Sequence, residues 1–158
     1  MDNIRKRKRL FREYLAELAP FEHIQTSEKD FKEEWKDRSS RPFSHWYDIK
    51  AKGKTVGFVI MGWGDNCHPD ADFFVQDVYI RPDFRQQGLV RKFMENYFAK
   101  HLGTYCLLIL NENTIAKMVW TKLFANAGFS PCWLEDVGAT GPYCKQYGWK
   151  KNSNRPGW

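Results

Sequence analysis

The stretch Arg85-Gln86-Gln87-Gly88-Leu89-Val90 joins a run that reads as a strand, FFVQDVYIRPDF, to one that reads as a helix, RKFMENYFAKHLG. It sets a glycine and three cations, Arg85, Arg91 and Lys92, at the opening of a helix. The helix dipole already leaves roughly half a positive charge at that end, so cations there are unfavourable by about a few tenths of a kcal/mol each. A bound anion reverses the sign. Glycine lets the first N–H groups of the helix, which have no partner within it, converge on such an anion. A phosphate group held by charge-assisted hydrogen bonds, at about 1.5–3 kcal/mol each, fits this pattern. The plainer alternative is a tight turn at Gly88 with Arg91 paired to Glu95 one helical turn on. The stretch is neither G-x-x-x-x-G-K-[ST] nor G-x-G-x-x-G, which disfavours nucleotide hydrolysis and dinucleotide binding.

Carboxylates and thiols are the other reactive groups. Asp77 stands on the strand-like run, and Asp65, Asp70 and Asp72 lie in the polar loop before it. The four cysteines, Cys67, Cys106, Cys132 and Cys144, form no C-x-x-C pair and have no histidine at zinc-ligand spacing. Adjacent Cys67 and His68 do not make a metal site. No metal is expected, and the thiols read as reduced and structural.

Positioning these groups requires a definite order of elements. A helix is expected from Asp2 to Ala19, stopped by Pro20, and a second from Ser27, a natural N-cap. HWYDIKA and TVGFVIMGW flank a turn at Lys52-Gly53-Lys54 and predict a hairpin. FFVQDVYI is the next strand, ended by Pro82. A helix from Gly88 to Leu102 closes at Gly103. TYCLLIL, short and continuously apolar, reads as a buried central strand. A helix from Thr114 to Ala127 and two tail strands follow. This order predicts a mixed α/β sheet with helices on both faces and one parallel crossover, over residues 73–110.

VYIRPDFRQQGLVRKFME resembles motif A of the GNAT superfamily of acetyl-CoA-dependent N-acetyltransferases, [QR]-x-x-G-x-[GA] after a strand ending in x-V-x-P. Arg85, Gln86, Gln87 and Gly88 match its first four positions, and Val90 stands where the family has Gly or Ala. NENTIAKMVWTKLFANAGF is similar to the family's N-x-x-A…GF segment at Asn113, Ala116, Gly128 and Phe129, with one extra helical turn. The likeness covers roughly residues 44–130. It implies a single GNAT-like domain over 1–158, with a mostly antiparallel sheet and one central, splayed parallel pair of strands. It also implies acetyl-CoA as co-substrate, wedged between those strands. The backbone of Val78, Tyr79 and Ile80 would pair with the pantetheine arm. Arg85 and the N–H groups of Gln87, Gly88, Leu89, Val90 and Arg91 would hold the pyrophosphate, and Asn113 the arm or the thioester end. Asn113 reads equally as a helix N-cap.

The implied reaction is transfer of acetyl from the thioester to a primary amine by direct attack. An amine of pKa near 10.4 is mostly protonated at pH 7, and supplying its neutral form costs roughly 4–5 kcal/mol. A general base lowers that barrier, and Asp77 is the candidate, with a structural acceptor role as the alternative. Many relatives protonate the leaving thiolate with a tyrosine four residues before the Gly-Phe pair. Phe124 stands there, and Trp120 if the count starts at Asn113; neither delivers a proton. Tyr143 or Tyr147, water, or departure as the anion remain open. A catalytically silent acyl-CoA-binding module is the alternative function.

Trp35, Trp46, Trp63 and Trp133, with Asp65, Asp70 and Asp72, would suit a cationic acceptor, small molecule or peptide, though tryptophans more often serve the core. The net charge of +6 and the basic run Arg5–Arg9 attract anions. Ile4, Phe11, Tyr14, Leu15 and Leu18 recur at helical spacing through that run, so it reads as a solvated helix face rather than a nucleic-acid contact. No apolar stretch approaches the roughly 20 residues needed to cross a bilayer. A cytoplasmic protein is expected, with a homodimer left open.

Overall fold

The apolar positions of the first 22 residues already dictate where the first helix must lie. In a computed structural model, which describes residues 2–22, 27–40, 44–136 and 144–152, helix α1 spans Asp2–Leu18. It runs into a 3-10 turn, Ala19–Glu22, that contains Pro20. Leu10, Phe11 and Tyr14 are buried, but Ile4 is 57% exposed, so the apolar stripe begins later than the spacing suggested. Helix α2, Glu28–Ser40, opens with a reciprocal cap: Asp30 N–H donates to Ser27 Oγ and Ser27 N–H to the Asp30 carboxylate, both at 3.1 Å.

Strands β1, His45–Ala51, and β2, Lys54–Trp63, pair antiparallel around the Lys52-Gly53 turn. Strand β3 is Phe73–Ile80, helix α3 Leu89–Lys100, strand β4 Thr104–Leu110 and helix α4 Thr114–Asn126. Strands β5, Phe129–Asp136, and β6, Cys144–Lys151, complete the sheet in the order β1-β2-β3-β4-β6-β5. It is mostly antiparallel with one parallel pair. The element order therefore follows the sequence reading, with helix ends shifted by a residue or two.

The chain groups into two compact units. The first holds the described residues up to Gly62 together with Val75–Phe93. Its core joins Leu10, Phe11 and Tyr14 of α1 and Phe31 of α2 to Phe58 and Ile60 of β2 and Tyr79 of β3. Trp35 and Trp46 pack against that cluster, so these two tryptophans serve the core. Arg7 clasps Asp48 at 2.9 and 3.0 Å, tying α1 to β1.

The second unit holds Trp63–Phe74 and the residues from Met94 onward. Its core is aromatic: Phe98, Tyr105, Phe124, Phe129 and Trp149 are buried together, with Phe124 stacked parallel on Trp149 at 4.9 Å. β6 pairs antiparallel with both β4 and β5. Gly148 of β6 leaves room for the Trp133 indole; a Cβ there would lie 2.1 Å from the ring. Cys67 and Cys106 are joined by a disulfide, which corrects the expectation of reduced thiols for this pair. Spacing gave no sign of it, because two cysteines separated by 39 positions meet only when the fold brings the loop onto β4. Cys132 is a free thiol. No described helix is long and apolar enough to cross a membrane.

Candidate functional site

The turn before α3 is built for close approach to its backbone. Pro82–Phe84 forms a 3-10 turn, after which Gln86 and Gly88 both adopt positive φ, 63° and 73°. Gly88 tolerates this at little strain because it lacks a Cβ. The first bond into α3 runs from Lys92 N–H to the Gly88 carbonyl at 2.9 Å. The N–H groups of Gly88, Leu89 and Val90 therefore precede the ladder and are not used within it. The Arg91 guanidinium folds over the turn, with Nη2 at 3.3 Å from where a Gly88 Cβ would stand. Converging N–H groups, the helix dipole and a guanidinium thus share one small surface, a combination suited to a phosphate.

Arg85 is employed differently from the expectation. Its Nε donates to the Ile80 carbonyl at 2.8 Å, and its Nη2 pairs with Glu17 of α1 at 2.6 Å. Its side chain fastens the end of β3 to α1. Glu13, one turn earlier on α1, accepts from the Tyr79 hydroxyl at 3.2 Å. Burial, with the Glu13 charge in support, pushes the Tyr79 phenol up to about 12.

Asp77 lies on the face of β3 that packs against α1 and is 4% exposed. Its Oδ1 accepts from the Tyr14 hydroxyl at 2.8 Å and its Oδ2 from Arg38 Nε at 2.7 Å. Arg38 also pairs with Glu34 at 3.2 Å and with Asp37. Burial holds the Tyr14 phenol well above the ordinary range, and the Asp77 charge adds to the effect. Burial alone would lower Arg38; the Asp77 charge and hydrogen bond outweigh it and leave the guanidinium raised. With both oxygens engaged, Asp77 has the geometry of an acceptor that locks α1 and α2 to β3. Sequence reasoning passed over Glu22, in the turn after α1. Burial raises its carboxyl, Glu34 raises it further, and Arg38 opposes the shift.

In the second unit, Asn113 is the N-cap of α4, its Oδ1 accepting from Ala116 N–H at 3.2 Å. Of the two residues that could stand at the family tyrosine, Phe124 is wholly buried and Trp120 is half-buried, with its ring 6.1 Å from that of Phe124. Tyr147 pairs with Leu107 across β6 and β4, and Tyr143 lies outside the described residues. A cleft of about 350 Å³ opens between Trp63, Asp65, Asp72, Phe73 and Leu102. Trp63 is 53% exposed and Leu102 80%, so apolar walls face solvent beside two carboxylates. Asp72 also accepts from Thr104 N–H at 2.7 Å. Trp133 and Asp70 do not line this cleft: Trp133 stacks on His68 at 4.0 Å, and Asp70 N–H donates to His68 Nδ1. Among the described residues no cluster of His, Cys, Asp and Glu could hold a metal ion.

The model of the acetyltransferase (GNAT) family matches residues 8–129. No curated protein matches the sequence significantly. Among solved structures, an acetyltransferase from Thermus thermophilus is 19% identical, with a TM-score of 0.64 over 89% of this chain and 86% of that one. A Corynebacterium glutamicum protein, described as histone acetyltransferase HPA2 and related acetyltransferase, is 14% identical, with a TM-score of 0.67 over 99% and 95%. Spermidine N-acetyltransferase from Vibrio cholerae, solved with CoA and spermine, is 14% identical, with a TM-score of 0.58 over 94% and 88%.

Proposed function

The chain belongs to the acetyltransferase (GNAT) family, and from that premise we propose that it transfers an acetyl group from acetyl-CoA to a primary amine. The observation that carries this reading is the Gly88 turn, where N–H groups ahead of the α3 ladder meet the Arg91 guanidinium. The pyrophosphate would sit on that surface, held by the N–H groups of Gly88, Leu89 and Val90 and by the Arg91 charge. The pantetheine arm would run along Val78, Tyr79 and Ile80 as an added strand. Arg85 contributes by holding the Ile80 carbonyl rather than by reaching the phosphates.

The amine must lose a proton before or as it attacks. Asp77 would need to release Tyr14 or Arg38 to accept that proton. With Phe124 committed to packing, the coenzyme thiol, whose ordinary pKa is near 8.5, leaves as the anion. For the acceptor, Trp63 with Asp65 and Asp72 offers an aromatic wall and negative charge, which suits a cationic amine.

The buried Phe124 also favours a second reading, an acyl-CoA-binding module without turnover. Calorimetric titration with acetyl-CoA, followed by assay of free thiol released in the presence of a panel of amines, separates the two. Binding with turnover is the expected result; binding without turnover on every amine selects the module, and no binding removes both.

A further inference from the structure

We propose that Gln76 is a catalytic residue, its side-chain N–H donating to the carbonyl oxygen of the bound thioester. The proposal rests on the acetyl-CoA reading above and specifies which group of this chain meets the reacting carbonyl.

The direction of β3 locates the reacting end. With the pyrophosphate at the Gly88 turn and the pantetheine arm along Val78–Ile80, the sulfur lies toward the N-terminal half of the strand. Two neighbouring polar side chains stand there, Gln76 and Asp77, on opposite faces because side chains alternate along a strand. The two differ in what remains open to a ligand. Asp77 is closed by Tyr14 and Arg38. Gln76 is closed on one side only: its Oε1 accepts from Ser44 Oγ at 3.0 Å. Its Nε2 is sealed from solvent and has no hydrogen-bond partner among the described residues.

A buried amide N–H without an acceptor costs about 1–3 kcal/mol, and buried polar groups are nearly always satisfied. The Ser44 hydroxyl holds the amide through its oxygen. Gln76 as a whole is half-buried, and the amide turns about that hydrogen bond to bring Nε2 to the incoming carbonyl. A carbonyl oxygen is the acceptor that the proposed substrate supplies. When the amine nitrogen forms its bond to the carbonyl carbon, the π pair moves onto that oxygen. On collapse the C–S bond breaks, its electron pair leaves with sulfur, and the nitrogen proton passes to the base. A hydrogen bond to that oxygen strengthens as its charge develops, so it acts on kcat more than on substrate binding.

The test is infrared difference spectroscopy with acetyl-CoA labelled with 13C at the carbonyl, which needs no knowledge of the acceptor. On the wild-type protein the carbonyl band is expected at lower wavenumber than for free coenzyme. Gln76→Leu is expected to return it to the free value while calorimetric affinity for acetyl-CoA is kept. Gln76→Glu, nearly the same shape, keeps the packing but removes the donor, and the same loss is expected. With any amine that turns over, kcat should fall about 10²-fold, the size seen when an oxyanion donor is removed. A band at the same position in wild type and both variants overturns the proposal. Failure of the wild type to bind acetyl-CoA overturns the coenzyme reading, and the proposal with it.

Discussion

Each unit buries one acidic or basic side chain among the described residues, Asp77 in the first at 4% exposure and His68 in the second at 8%. They are accommodated in different ways. Asp77 carries a formal charge, so it needs a cation, and Arg38 is held against it with the Tyr14 hydroxyl on the other oxygen. The Nδ1 of His68 accepts from Asp70 N–H at 3.1 Å, and its Nε2 lies 3.2 Å from the Glu135 carboxylate. Its face lies on Trp133. The buried carboxylate is met by two distant helices, whereas the buried imidazole takes one partner from its own loop and a carboxylate and a ring face from β5. The first arrangement stakes stability on one ion pair, and the second spreads it over packing and a covalent tie.

The largest effect is expected from stranding the charge. Arg38→Ala should destabilise the protein by about 3–5 kcal/mol, measured by urea denaturation. Asp77→Asn in the same background should recover much of the loss, since the uncompensated charge is then gone. In the second unit, replacing Cys67 and Cys106 together by alanine should cost roughly 2–4 kcal/mol, measured by the same method without reductant. If the two losses proved equal, the contrast between charge and cross-link would collapse.

A smaller stability change with a larger functional one is expected at the turn. Gly88→Ala should cost about 1–2 kcal/mol, because alanine resists a positive φ. Acetyl-CoA affinity, followed by calorimetry, should fall well beyond what that change explains.

The smallest effect is pH dependence. Burial works against the charged form of Asp48, but the hydrogen bonds from Arg7 and Trp46 outweigh it and hold its pKa below the ordinary range. Its contribution is therefore present above the usual aspartate range and lost as pH falls through the lowered value. The stability difference between wild type and Arg7→Gln should vanish in acid. Tyr14 has the opposite sign. Its raised pKa keeps its contribution whole below the ordinary tyrosine range and erodes it as pH rises above 10. Tyr14→Phe should flatten that alkaline limb, measured as denaturation midpoints against pH.

Much of the architecture is written locally. The strand-like run FFVQDVYI ended by Pro82, the apolar run TYCLLIL and the glycines at 88, 103 and 128 placed strands and helix ends within a residue or two, because these signals act over short distances. The Gly88 turn was legible for the same reason: its signal lies in consecutive residues. What those residues could not say was which side chains would be spent on structure. Arg85 reads as a phosphate cation, and its guanidinium meets Glu17 and the Ile80 carbonyl; Asp77 reads as a base or as a structural acceptor, and Tyr14 and Arg38 engage both its oxygens. Trp35 and Trp46 read as core or as pocket walls, with the core favoured, and they pack against the core cluster.

The order of elements and the family could be read along the chain, because both rest on contiguous patterns. The Cys67–Cys106 bond, the closure of Asp77 and the unmet donor on Gln76 emerge with the folded backbone. Each depends on partners some 30–60 residues apart in the chain, and a pairing over that distance exists only once the backbone has folded.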